Sequence, residues 1–139
     1  MDDPEKIASR YLELLNEGDE ARRSALLESW LPDADYRDPP LRVEGRERIG
    51  AMIGALRETF PDHRFALGGT PDRNGDVVRV PCQLRLETAG PVALGTDLVR
   101  LGRDGRIEGV SAEREQADEG PSTGGSGEIR SQREPRPVA

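Results

Sequence analysis

The stretch Gly95-Thr96-Asp97-Leu98-Val99-Arg100-Leu101 determines how the rest of the chain is interpreted. Read at the two-residue period of a β-strand, Asp97 shares one face with Val99 and Leu101, and that face is otherwise small or apolar. Asp97 is therefore expected to point into the interior. Burying an ionised carboxylate is costly, and a carboxyl placed so is often a working group. The pattern predicts a pocket with an acid in its wall.

The chain divides by composition into a folding unit and a tail. Its 139 residues suit one domain with a single core. Residues 1–115 hold the apolar patterns, whereas residues 116–139 are mostly Gly, Ser, Pro, Arg and Glu, with almost no apolar side chain. Such a segment cannot bury enough surface to offset its ordering entropy. We predict a domain over 1–115 and a disordered tail over 116–139.

Charge and residue counts exclude several function classes. The net charge is −7 without a basic stripe, which argues against nucleic-acid partners. No apolar run approaches the ~20 residues of a membrane span. The single cysteine, Cys82, cannot form an internal disulfide and is interpreted as a core filler, consistent with a cytoplasmic location. One His and one Cys cannot supply a zinc tetrad, and no acids have metal spacing, so no metal is expected.

Three helices are predicted in the first half of the chain. The first has Asp3 as its cap, Pro4 at its first position and Tyr11 on its apolar face. The second is predicted over about Glu20–Leu31, ended by Pro32-Asp33. A short strand, Ala34–Asp38, then precedes the third helix, over about Arg46–Phe60.

After residue 61 the apolar period changes to two, which indicates strands. They are predicted over Arg64–Gly69, Val78–Leu86, the Asp97 stretch and Arg106–Glu115, with a hairpin turn over Asp72–Asp76. Pro81 indicates an edge strand or a bulge. The order predicts an α+β fold, with three N-terminal helices packed on a strongly curved, mainly antiparallel sheet. Tyr11 and Asp97 would face a conical cavity between the two layers.

Short motifs in this order resemble the nuclear-transport-factor-2-like superfamily, which includes SnoaL-like polyketide cyclases and ketosteroid isomerases. The resemblance covers roughly Pro4 to Glu113. The motifs are Arg10-Tyr11-Leu12, Leu15-Asn16-Glu17-Gly18-Asp19, Tyr36-Arg37-Asp38-Pro39-Pro40, Glu44-Gly45-Arg46, Phe60-Pro61-Asp62-His63-Arg64-Phe65 and the Asp97 stretch before Asp104-Gly105. The resemblance implies a cone-shaped α+β barrel and a homodimer; the fold itself hosts many chemistries.

Resemblance to ketosteroid isomerases implies roles for three residues. Asp38, which precedes a proline at the end of a strand, matches the base of that family; Asp97 matches its protonated donor, and Tyr11 its helix tyrosine. In the cyclase relatives a single late-strand Asp is both acid and base, and Asp97 could do this alone. Each residue also has a structural interpretation: Asp97 satisfied by neighbouring donors, Asp38 as turn chemistry, and Tyr11 as core.

Three further side chains are candidates for substrate binding. Tyr36 shares a strand face with Asp38, His63 is the single histidine of the chain, and Trp30 would lie in the core or at the lip of the cavity. The resulting hypothesis is a cofactor-independent isomerase, cyclase or dehydratase that moves protons on a small, mostly apolar carbonyl compound. The alternative is a non-catalytic module of the same fold that binds a small molecule or dimerises.

Overall fold

The computed structural model describes residues 3–87 and 89–114, where helices lie against one side of a sheet. The helices are α1 (Pro4–Leu15), α2 (Glu20–Leu26) and α3 (Arg46–Thr59), and a 3-10 turn covers Leu27–Ser29. The strands are β1 (Trp30–Asp38), β2 (Leu41–Glu44), β3 (His63–Leu67), β4 (Asp72–Asn74), β5 (Val77–Leu86), β6 (Gly90–Leu101) and β7 (Ile107–Arg114). The predicted tail, 116–139, lies outside the described residues.

The strands form a sheet in the order β2-β1-β7-β6-β5-β3, and β4 pairs with β5. β1 and β7 are parallel, and the other pairs are antiparallel. Strand β5 therefore lies between β6 and the β3 and β4 side, and β6 lies between β5 and β7. This confirms the predicted α+β fold of three helices on a curved, mainly antiparallel sheet.

Helix α1 begins and packs as its sequence predicts. The Asp3 carboxylate accepts a hydrogen bond from the Lys6 backbone N–H at 2.8 Å, and Pro4 occupies the first turn. The apolar face of the helix is buried, namely Ile7, Ala8, Tyr11, Leu12, Leu14 and Leu15. Its end is fixed by Asn16, whose side chain bonds both the backbone N–H and the carbonyl of Phe65, at 2.8 and 2.9 Å.

The predicted extent of the second helix is wrong. Helix α2 ends at Leu26, and after the 3-10 turn the backbone of Trp30 is extended and begins β1. Pro32 does not stop a helix but lies within β1. It is tolerated because the pairing of β1 with β7 is interrupted between Trp30 and Asp35, so the missing N–H removes no ladder hydrogen bond. Apolar spacing could not distinguish this turn and strand from a longer helix.

Strand β5 is not an edge strand, although its Pro81 had suggested one. Pro81 lies where β3 has ended, opposite Cys82, and β4 begins, opposite Arg79. Its carbonyl points toward β3 and accepts from the Gly68 N–H at 2.9 Å, so its ring nitrogen faces the same gap. A gap between two short partner strands needs no N–H there, which explains an interior proline. The sequence also did not predict the short strands β2 and β4.

The sheet face opposite the helices carries a buried ion-pair row. Asp35, on β1, is 7% exposed and pairs with Arg37 at 2.9 Å and with Arg100, on β6, at 2.7 Å. Gly109, on β7, is the register partner of both Asp35 and Arg100. A Cβ at Gly109 would overlap the Arg100 guanidinium and the Asp35 carboxylate. The absence of a side chain at Gly109 therefore lets β1 and β6 pair their charges across β7.

Gly109→Ala is expected to destabilise the protein by on the order of 3 kcal/mol, because the added methyl group would separate a largely buried ion pair. Urea unfolding followed by circular dichroism measures the change. The control is Gly18→Ala, because a Cβ at Gly18 would meet no atom within 4 Å, and this change should shift stability by less than about 0.5 kcal/mol. Equal unfolding midpoints for the two variants would show that the Asp35 row relaxes without cost.

Candidate functional site

Asp97 lies in the interior, on the helix-facing side of β6. It is 8% exposed, and Val99 and Leu101 on the same face are also buried. Its register partners are Val80 on β5 and Ala112 on β7. The carboxyl is thus held by a central strand with a partner on each side, which fixes its position.

Tyr11 brings the hydroxyl that meets this carboxyl. It lies on the buried face of α1 with no exposed surface, and its O–H donates a hydrogen bond to Asp97 Oδ2. Trp30 packs against it, with the ring centroids 6.3 Å apart at a tilt of 33°. The tryptophan limits the positions open to the phenol ring, so the hydroxyl is aimed at β6. The structure brings Tyr11 and Asp97 together, 86 residues apart in the chain.

Tyr36 and Cys82 complete a buried cluster around this contact. Tyr36, on β1, is 8% exposed and is hydrogen-bonded to Tyr11. Cys82, on β5, is 7% exposed, and its thiol donates to the Val80 carbonyl at 3.3 Å and interacts with Asp97. We refer to Tyr11, Tyr36, Cys82 and Asp97 as the acid cluster. Three strands and one helix each contribute one member.

Asp38 lies at the end of β1, on the same face as Tyr36, and is half-buried. In the strand register, Arg37 of β1 lies opposite Ser111 of β7, and Asp97 of β6 lies opposite the next residue of β7, Ala112. Asp38 and Asp97 are therefore about two strand spacings apart, on the order of 10 Å between backbones. The negative charges of both carboxyls act on Tyr36.

The hydroxyls and the thiol of the acid cluster stay protonated near neutral pH. Burial, and next the charge of Asp97, raises the pKa of Tyr11 well above its ordinary value. The same two causes, in the same order, raise the pKa of Tyr36 and of Cys82. Hydrogen bonding to Tyr11 offsets only part of the rise at Tyr36. These three groups can donate hydrogen bonds but cannot act as bases near neutral pH.

Two predicted substrate-binding residues occupy other positions. Trp30 is 1% exposed, so it supports Tyr11 from behind and offers a ligand almost no surface. His63 pairs with Leu86, four residues along β5 from Cys82, or roughly 13 Å at ~3.3 Å per residue. Its ring contacts Phe60 edge to face at 5.2 Å. The structure therefore separates His63 from the acid cluster, because β3 begins at the far end of β5.

Sequence reasoning missed one member of the cluster. Cys82 alternates with apolar residues, as a core filler does, and its type alone carries no sign of a site. The signal that would have found it is the register of β5 with β6, which places Cys82 opposite Gly95, beside Asp97. Among residues 3–87 and 89–114, no group of three or more His, Cys, Asp or Glu side chains could hold a metal ion. No helix in the same ranges is long and apolar enough to cross a membrane.

Comparisons with known proteins agree with the fold. The SnoaL-like domain family matches residues 8–110. A proposed isomerase of the SnoaL-like family from Agrobacterium tumefaciens is 40% identical, with a TM-score of 0.75, over 80% of this chain and 96% of that one. A search of curated proteins finds no match.

More distant structures share the fold. A proposed polyketide cyclase from Sinorhizobium meliloti is 22% identical, with a TM-score of 0.61, over 78% of this chain and 94% of that one. A SnoaL-like protein of unknown function from Burkholderia thailandensis is 18% identical, with a TM-score of 0.64, over 81% and 94%. From the match over residues 8–110 and the 40% identity to a SnoaL-like protein, the chain belongs to the SnoaL-like family.

Proposed function

We propose that this protein is a proton-transfer enzyme that acts on a small, mostly apolar carbonyl compound. The observation that carries the proposal is the buried contact of the Tyr11 hydroxyl with Asp97, with Asp38 across β7 on the same face. A carbonyl oxygen bound at the cluster would meet neutral donors, and its α-carbon would lie on the side of Asp38. The 40% identity to a proposed isomerase supports isomerisation as the reaction class.

The proposed mechanism uses each acid in a different role. The Asp38 carboxylate removes a proton from the carbon beside the carbonyl, and the electron pair moves onto the carbonyl oxygen to give an enolate. A protonated Asp97 donates a hydrogen bond to that oxygen while it accepts one from Tyr11, which stabilises the developing charge. Asp38 then returns the proton to another carbon of the conjugated system. In this scheme Tyr36 holds Tyr11 in place through their hydrogen bond.

A second assignment uses one acid only. Asp97 is surrounded by Tyr11, Tyr36 and Cys82, so in a cyclase or dehydratase it could both remove and return the proton. Asp38 would then only shape the entrance. The two assignments differ in what an amide at each position would do, because an amide can donate a hydrogen bond but cannot take the proton.

A non-catalytic binding module is the rival function, and one observation favours it. Tyr11 has no exposed surface and already gives its hydroxyl proton to Asp97, an arrangement that would serve a core equally well. The homodimer stays a prediction; Val92 and Leu94, about half exposed on β6, offer apolar surface for it. Measurement of turnover in matched variants separates an enzyme from a binding module.

In wild-type protein, small ketones and a cyclic β,γ-unsaturated ketone should exchange their α-protons for deuterium, measured by proton NMR in D₂O. Asp38→Asn should lower the exchange rate by about 10²–10⁴-fold, the usual contribution of a general base. Asp97→Asn keeps a donor, so its loss should stay below the roughly 10²-fold of a deleted oxyanion donor.

The matched control for these variants is Asp33→Asn, which neutralises an exposed carboxyl on the same strand as Asp38. It should leave the exchange rate unchanged. A large loss in Asp97→Asn with little loss in Asp38→Asn would assign the proton transfer to Asp97. Equal rates in wild type and all three variants would rule out both assignments and leave the binding module.

The raised tyrosine pKa values can be tested directly, because the chain has two tyrosines and both lie in the acid cluster. A folded pKa above the ordinary 10.0 adds stability that is full below pH 10 and is lost as pH rises toward the folded value. Tyrosinate absorbance should therefore stay flat to about pH 11 and rise only when circular dichroism shows unfolding. A rise near the ordinary pKa while the protein is folded would contradict the buried, protonated cluster.

A further inference from the structure

A cleft of about 360 Å³ lies away from the acid cluster, where the end of α1, the start of α2, the second half of α3 and the start of β3 meet. The charged and polar side chains that line it are Asn16, Arg23, Arg57, Glu58 and Arg64. Three cations thus face one carboxylate, in a protein whose net charge is −7. The charge of the cleft lining is therefore opposite in sign to the net charge of the protein.

The positive charge of this cleft is not neutralised by other carboxylates. Arg23, 9% exposed, donates to the Glu17 backbone carbonyl at 3.0 Å. Arg57 donates to the backbone carbonyls of His63 and Pro61, at 2.7 and 3.1 Å. Within residues 3–87 and 89–114, neither of these arginines, nor Arg64, takes part in a salt bridge. Each guanidinium has five donors, so most remain for a ligand.

Two of the three arginines, Arg23 and Arg57, are held in place before any ligand arrives. The two carbonyl bonds of Arg57 fix its guanidinium against the loop after α3. Arg23 lies across α3 at Gly54, where a Cβ would come within 2.8 Å of its Nη2. Burial and the like charge of Arg64, which lines the same cleft, lower the pKa of Arg57. Preorganised guanidinium groups bind oxyanions strongly, because little entropy is lost on binding.

We propose that this cleft binds the oxyanion group, a phosphate or a carboxylate, of a small organic molecule. Guanidinium forks match the geometry of both groups. The volume lies within the range of small-molecule pockets, roughly 300–1,000 Å³, and exceeds what a lone inorganic ion would fill. The proposal is independent of the chemistry at Asp97, since none of the acid cluster lines the cleft.

The test is a titration of ¹⁵N-labelled protein with phenyl phosphate and, separately, with benzoate at constant ionic strength, followed by amide chemical shifts. We expect saturable shifts at the residues that line the cleft with at least one probe, and the tighter probe identifies the preferred oxyanion. Benzyl alcohol, the neutral comparison, should produce none. Absence of saturable shifts with both anions, or equal shifts with the alcohol, would overturn the proposal.

Two substitutions that change the charge of the cleft in opposite directions provide a second test. The Arg64 side chain makes no hydrogen bond or ion pair within the described residues, so Arg64→Gln should leave the fold intact. It should weaken binding about tenfold, as loss of a charge-assisted hydrogen bond would. Glu58→Gln removes the opposing charge and should tighten binding several-fold.

Two further variants provide the controls. Arg103→Gln makes the same change of charge on the exposed turn between β6 and β7 and should leave binding unchanged. If Arg64→Gln weakens binding no more than Arg103→Gln, the arginines only hold the helix ends and the proposal fails. Asp97→Asn should bind both anions as wild type does. An equal loss in Asp97→Asn and Arg64→Gln would place the anion elsewhere and also overturn the proposal.

Discussion

The structure depends on burying the Asp97 carboxyl on a central strand, where it accepts a hydrogen bond from the Tyr11 hydroxyl. Such burial is costly unless donors surround the group. Tyr11 of α1 donates to this carboxyl, and Tyr36 of β1 and Cys82 of β5 lie beside the contact, so burying one carboxyl requires the helix layer and the sheet to be assembled together. The contact links residues 86 positions apart and sets where α1 can lie on the sheet.

Each face of the sheet buries a carboxyl, and the contacts of the two carboxyls differ. On the face away from the helices, Asp35 is held between Arg37 and Arg100, so its charge is neutralised by fixed cations. On the helix-facing side, Asp97 meets neutral hydroxyl and thiol groups, and its charge raises their pKa values. Breaking an ion pair such as that of Asp35 leaves a buried charge uncompensated, so the pair holds the strands together.

The periodicity of apolar residues predicted the helix and sheet layers, but not where each element begins or how neighbouring strands align. The N-terminal cap of α1, the buried face of Asp97 and the α+β order follow from local pattern and are confirmed. The start of β1 at Trp30 and the interior position of Pro81 were missed, because both depend on where a neighbouring strand is interrupted. Local pattern does not contain the register between distant strands. For the same reason the sequence did not predict that Cys82 lies beside Asp97, or that His63 lies away from the acid cluster.

The two candidate acids, Asp38 and Asp97, differ in how deeply they are buried. Asp38 is half-buried at a strand end before Pro39-Pro40, so water can reach its carboxyl group. Asp97 is 8% exposed and enclosed by donors that do not ionise near neutral pH. A base must be regenerated, whereas a donor to an oxyanion must be fixed and dry. The contrast in their surroundings therefore favours Asp38 as the base and Asp97, with Tyr11, as the stabilising pair.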